Sequence, residues 1–86
     1  MEVEVVNKLG LHAKAAAKLV KLCANYASQI TLYKGEQGVD AKSIMGVLML
    51  AATQGTILAL HVEGEDASAA SEAIIKMFGD YFDEGE

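Results

Sequence analysis

The sequence predicts an α+β fold: a two-layer, open-faced β-sandwich in the order β-α-β-β-α-β-α, with a four-stranded sheet and three helices on one face. Three observations carry this prediction. Short segments alternate apolar and polar residues with period two, as half-buried strands do. Longer segments free of breakers repeat their apolar residues at helical spacing. The 86 residues, 52% apolar and 22% charged, are enough for one core and too few for two, so one domain over residues 1–86 is expected.

Taken in order, Glu2-Val3-Glu4-Val5 alternates and is expected to be a strand. Asn7 to His12 contains Gly10 and reads as a loop. Ala13 to Tyr26 is expected to be helical, with Ala16, Leu19, Val20, Cys23 and Ala24 on its apolar stripe. Gln29 to Tyr33 alternates again, and Lys34 to Gly38 forms a turn into a strand at Val39 to Ala41. Ser43 suits the N-cap of a compact helix from Ile44 to Ala52, which ends near Gly55. Thr56 to Glu63 sets Leu58, Leu60 and Val62 on one face and Ile57, Ala59 and His61 on the other. Asp66 is expected to cap a last helix from Ala67 to about Phe82, whose stripe is Ala70, Ala73, Ile74, Met77, Phe78 and Tyr81. Asp83 to Glu86 is expected to fray. Strands with one apolar face and helices with one apolar stripe bury them against each other, which gives the two layers.

Composition excludes several classes of function. No tryptophan and few aromatics leave no base-stacking platform, and a net charge of −5 without arginine argues against nucleic acid as partner. The single Cys23 forms no disulfide framework or multi-cysteine metal site, which fits a reducing cytoplasm. The acidic start lacks the basic stretch of a secretory signal, and the nearly apolar run Ile44 to Ala52 is too short to span a bilayer, so no membrane insertion is expected. Charge is uneven: residues 1–42 hold six lysines against four acids, and the remainder holds Lys76 against eight. Lys14, Lys18 and Lys21 are spaced to share one side of the first helix, by default a solvated face.

The start of that helix carries the most chemical information. A helix leaves its first backbone N–H groups unpaired, and Ser, Thr, Asp or Asn usually satisfies one of them. Here the residue is His12, followed by Ala13, Lys14, Ala15 and Ala16, so the amides are expected to stay uncapped. Open amides at the positive end of a helix suit an anion, phosphate above all. Gly10 allows a tight turn just before them, and Lys14 and Lys18 add positive charge. An imidazole at this place either hydrogen-bonds to the backbone, as most lone histidines do, or acts as a nucleophile toward a phosphoryl group. Spacing leaves both roles open.

The segment Asn7-Lys8-Leu9-Gly10-Leu11-His12-Ala13-Lys14-Ala15-Ala16-Ala17-Lys18-Leu19-Val20 resembles the active-site segment of the HPr family of phosphocarriers. A second segment, Lys42 to Ala52, resembles the regulatory-serine region of that family, and the likeness covers essentially the whole chain. The alanine-rich helix start and the Met-Leu-Ala-Ala run look more like the nitrogen-type branch than the sugar-type branch. The resemblance implies an HPr-like fold and a cytoplasmic, monomeric carrier that is a phosphotransfer intermediate rather than a stand-alone enzyme, with no cofactor. His12 would accept phosphate at Nδ1 from phosphorylated enzyme I and pass it to a IIA-type protein, in sugar uptake or in nitrogen and carbon regulation. The amides of Ala13 and Lys14 would hold the phosphoryl oxygens. Ser43 matches the serine modified by HPr kinase/phosphorylase in many relatives.

Two positions depart from the family pattern. Lys14 stands where arginine is usual and keeps the charge without the bidentate fork. Ala15 stands where proline is frequent and restores a backbone N–H. The helix after Ser43 is apolar nearly all round: Val47, Leu50 and Ala51 can face the sheet, while Ile44, Met45 and Leu48 cannot all join them. These three either fold over the rim of a small core or, as the resemblance implies, form a partner surface rimmed by Lys14, Lys18 and Lys21. His61 is expected on the sheet surface and Cys23 in the core. Two further readings compete with the carrier: a regulatory binding module controlled through Ser43 phosphorylation, and a subunit lending an anion site to a larger catalyst. The latter finds no carboxylate within residues 5–27 to act beside His12.

Overall fold

The computed structural model describes residues 1–83. Its elements are β1 (Glu2–Glu4), α1 (Ala13–Cys23), β2 (Gln29–Lys34), β3 (Gln37–Asp40), α2 (Ile44–Met49), β4 (Ile57–Glu63) and α3 (Ala67–Gly79), followed by a 3-10 turn (Tyr81–Asp83). The strands form one antiparallel sheet in the order β1-β4-β2-β3. This is the expected α+β architecture, an open sheet with three helices on one face.

Alternation sets the two faces. Val3, Ile30, Leu32, Leu58 and Leu60 are buried on the helix side, where they meet Ala16, Leu19, Val47, Ile74 and Phe78. Register follows from this pattern, since a one-residue slip would turn each apolar set to water. Val3 pairs with Leu58, and Leu32 pairs with Leu60 on one side and Val39 on the other. On the open face the His61 ring lies against Tyr33, with centroids 4.9 Å apart. Cys23 is buried as expected, and burial pushes its thiol pKa up to about 11.

The helices end earlier than their sequence patterns suggest. α1 stops at Cys23 rather than Tyr26, with Ala24 as its C-cap. α2 stops at Met49 rather than Ala52, because the Lys34 ammonium takes the Leu50 carbonyl at 3.0 Å and the Gln37 amide takes that of Met49 at 3.4 Å. Ala51 then adopts a left-handed φ of 49° and is exposed, against the expectation that it faces the sheet. α3 stops at Gly79, short of Phe82. Tyr81, Phe82 and Asp83 take positive φ, which buries Phe82 edge-on against Phe78 at 4.9 Å and leaves Tyr81 exposed. The fraying expected for Asp83 to Glu86 falls, apart from Asp83, outside the described residues.

Asp66 does not cap α3 with its side chain. Its carboxylate reaches instead to the α1–β2 connection, accepting from the N–H of Ala27 at 2.8 Å, the N–H of Ser28 at 2.9 Å and the Ser28 hydroxyl. Gly64 lets the chains approach so closely: a Cβ there would lie 2.7 Å from Ser28 Cα, and its φ is +149°. The Ser28 hydroxyl, followed by the Ala27 N–H, holds the Asp66 carboxyl below its ordinary pKa of 3.8.

Candidate functional site

The loop before α1 is held from both sides. Gly10 N donates to Asn7 O at 3.2 Å, and the buried Asn7 amide returns a bond to Gly10 O at 2.8 Å. Leu11 is buried and its N–H donates to Ala52 O at 2.9 Å, tying the loop to the segment that leaves α2. Gly10 is required here, with a φ of +69° and no room for a Cβ, which would meet Ala52 O at 2.5 Å.

His12 follows at the N-cap of α1, extended at φ −76° and ψ 178°, with Ala16 N bonded to its carbonyl at 2.8 Å. The first turn is not uncapped, as the residue types suggested. Nδ1 of His12 accepts from the N–H of Lys14 at 3.3 Å, doing what a Ser or Asp oxygen does elsewhere. An acceptor nitrogen carries its lone pair, so this bond selects the tautomer with the proton on Nε2. A ring-nitrogen lone pair therefore lies at the positive end of a helix, a setting that favours anions.

The charged and apolar candidates occupy distinct settings. Ala13 and Lys14 are exposed beside His12, while Ala15 and Ala16 are buried beneath them. Lys21 is exposed in the last turn of α1. Lys18 is half-buried, and its ammonium donates to Phe82 O at 2.8 Å, so it anchors the C-terminal turn as well as lying on the basic side of α1. Ser43, half-buried at φ −110° and ψ 114°, caps α2 by accepting from Gly46 N at 3.1 Å. In α2 the side chains of Ile44 and Met45 are exposed, and Leu48 is half-buried against the core. Met49 on the same helix and Leu9 in the loop before α1 are each more than half exposed and were not picked out from the sequence. Met49 follows Met45 by one helical turn, a spacing that could have revealed it.

Among the described residues no group of three or more His, Cys, Asp or Glu side chains is placed to hold a metal ion. Within the same residues no helix is long and apolar enough to cross a membrane.

The family model described as "PTS HPr component phosphorylation site" matches residues 1–80. The phosphocarrier protein HPr of Pseudomonas aeruginosa is 48% identical over 87 aligned positions, covering 100% of this chain and 97% of the relative. The phosphocarrier protein NPr of Shewanella violacea is 42% identical, covering 96% of this chain and 91% of its own length. Among solved structures, an HPr from Thermoanaerobacter tengcongensis superposes with a TM-score of 0.94 at 38% identity, covering 98% of this chain and 94% of that one. Sequence, topology and the placing of a histidine at the first helix thus converge on one assignment: the chain belongs to the HPr family of phosphocarriers of the phosphotransferase system.

Proposed function

We propose that His12 accepts a phosphoryl group from phosphorylated enzyme I and passes it to a IIA-type protein. The observation that carries this reading is the bond from Lys14 N to His12 Nδ1, which presents an unprotonated ring nitrogen at a helix N-terminus. In the forward step the Nδ1 lone pair attacks the phosphorus of the donor phosphohistidine. The donor P–N bond breaks with its electron pair left on the donor ring, which takes up a proton. His12 releases its Nε2 proton to solvent, and Lys14 N turns from Nδ1 to a phosphoryl oxygen. The amide of Ala13 supplies a second donor, and the Lys14 ammonium offsets the added charge. Attack by the acceptor's imidazole reverses these changes.

Partners meet an apolar centre of Ile44, Met45 and Leu48 rimmed by Lys14, Lys18 and Lys21. A surface of this kind suits acidic grooves on enzyme I and IIA proteins. The carrier acts in the cytoplasm as a monomer, because each partner must reach the same histidine in turn. Incubation with enzyme I, phosphoenolpyruvate and magnesium is expected to install acid-labile, base-stable phosphate that disappears in His12→Ala. Absence of label with a competent enzyme I would remove the relay.

A second reading adds regulation rather than replacing the carrier. Ser43 Oγ sits at the N-terminus of α2 and is half-exposed, so HPr kinase/phosphorylase could modify it. Mass spectrometry after incubation with that kinase tests it; no added phosphate on Ser43 ends this reading.

A further inference from the structure

The outer edge of β1 has the features of a strand-accepting site. β1 lies at the end of the sheet, and among the described residues no strand pairs with its far side. Leu60 N donates to Met1 O at 2.7 Å and Val5 N donates to Thr56 O at 2.9 Å, while Val3 stands opposite Leu58. Hydrogen-bonded pairs alternate along an antiparallel ladder, so Met1, Val3 and Val5 face β4. The N–H and C=O groups of Glu2 and Glu4 therefore point outward. Beside this edge runs a groove of about 250 Å³ between β1 and α3, lined by Val3, Val6, Ile75, Phe78 and Gly79 with Glu2 and Glu4 at its lip. Ile75 is 45% exposed, and Gly79 offers no side chain to fill the space.

We infer that this edge accepts an extended segment of a partner protein with the alternating pattern basic, apolar, basic. Residues directly opposite in a sheet share a face, and their side chains touch. A guest residue opposite Val3 would drop an apolar side chain into the groove over Ile75 and Phe78. Its neighbours, opposite Glu2 and Glu4, would stand on the other face, where lysine or arginine complements the two carboxylates. On α3 the exposed Lys76 is paired with Asp80 at 2.7 Å, which offsets its charge near the groove. The α-ammonium of Met1 sits at the other end of the strand, bonded to Leu60 O. The same charges disfavour a second copy of the chain. Antiparallel pairing of two β1 edges, with both helix layers on one side, sets Glu2 and Glu4 against glutamates.

The test is titration of the ¹⁵N-labelled full chain with a blocked peptide alternating lysine and isoleucine, followed by calorimetry. Saturable shifts are expected at Glu2, Glu4, Val6, Ile75 and Gly79, with little change at His12. Reversing both charges in Glu2→Lys/Glu4→Lys should weaken binding at least about tenfold and favour a peptide alternating glutamate and isoleucine. N-methylation of the guest amides that face β1 should abolish binding to the unaltered chain, which keeps the test valid if the double variant folds poorly. The inference is overturned by no saturation, by shifts mapping elsewhere, or by equal binding of the methylated peptide. Self-association through β1 would overturn it too.

Discussion

The backbone N–H of Lys14 donates to Nδ1 of His12 across 3.3 Å, so the side chain that closes the first turn of α1 is also the candidate nucleophile. Structural and chemical roles share one lone pair, and substitution can separate them.

Asparagine at position 12 should keep the cap and lose the chemistry. His12→Asn is expected to unfold in urea with a stability equal to or above that of the unaltered chain, since asparagine is among the best N-caps. His12→Ala should cost about 1 kcal/mol. Neither variant should take up phosphate from enzyme I. A His12→Asn chain much less stable than the unaltered one would show that the imidazole does more than cap.

Lys14 supplies charge without a planar fork. Lys14→Arg is expected to leave the rate of transfer from enzyme I unchanged or raise it, because guanidinium adds bidentate contact at the same charge. Rapid-quench kinetics decides this, and a large fall would show that the compact ammonium is itself required. The cap is made by backbone, so this change should leave stability within about 0.5 kcal/mol.

At Ser43 the two roles can again be parted. Ser43→Ala removes the bond to Gly46 N and should cost about 1 kcal/mol in denaturant unfolding. Ser43→Asp keeps a capping oxygen and should retain the fold while slowing phosphoryl transfer from enzyme I, since negative charge enters a surface suited to acidic partners. Unchanged transfer kinetics in Ser43→Asp would count against control at this position.

Asp66 should govern part of the acid stability. Its carboxyl lies below the ordinary value of 3.8 because the Ser28 hydroxyl and the Ala27 N–H stabilise the ionised form. Its contribution is fully present above that ordinary value and fades as pH falls through the lowered folded one. Unfolding midpoints followed from neutral pH downward should therefore drop less steeply in Asp66→Asn, which starts from a lower plateau. Parallel curves for the two chains would contradict the linkage.

Local pattern made most of the fold legible. Period two in Ile57 to Glu63 and helical spacing in Ala13 to Cys23 depend on neighbours in the chain, and so did the capping role of Ser43. Long-range partners were hidden. Asp66 read as a helix cap because its acceptors' donors lie 38 and 39 residues away, at Ser28 and Ala27. The early end of α2 depends on Lys34 and Gln37 reaching from the β2–β3 hairpin, which no property of Leu50 announces. At the candidate site, the position of His12 and a backbone bond to its imidazole, one of two roles left open, were readable; that this bond caps the helix was not, since imidazole is absent from the usual list of N-cap residues. Lys18 looked like a free surface charge because its partner, Phe82 O, depends on a left-handed turn.

The shared lone pair also bears on energetics. Any free energy that favours the phosphorylated carrier over the unmodified one is withdrawn from the group-transfer potential of the phosphoramidate. In the unmodified chain Lys14 N already has an acceptor, so a phosphoryl oxygen replaces a bond rather than creating one, and the amide's gain is only a difference. On the proposed reading, a helix start capped by its own nucleophile keeps the phosphate from settling into a thermodynamic sink, so that it can move downhill in either direction as donor and acceptor levels change.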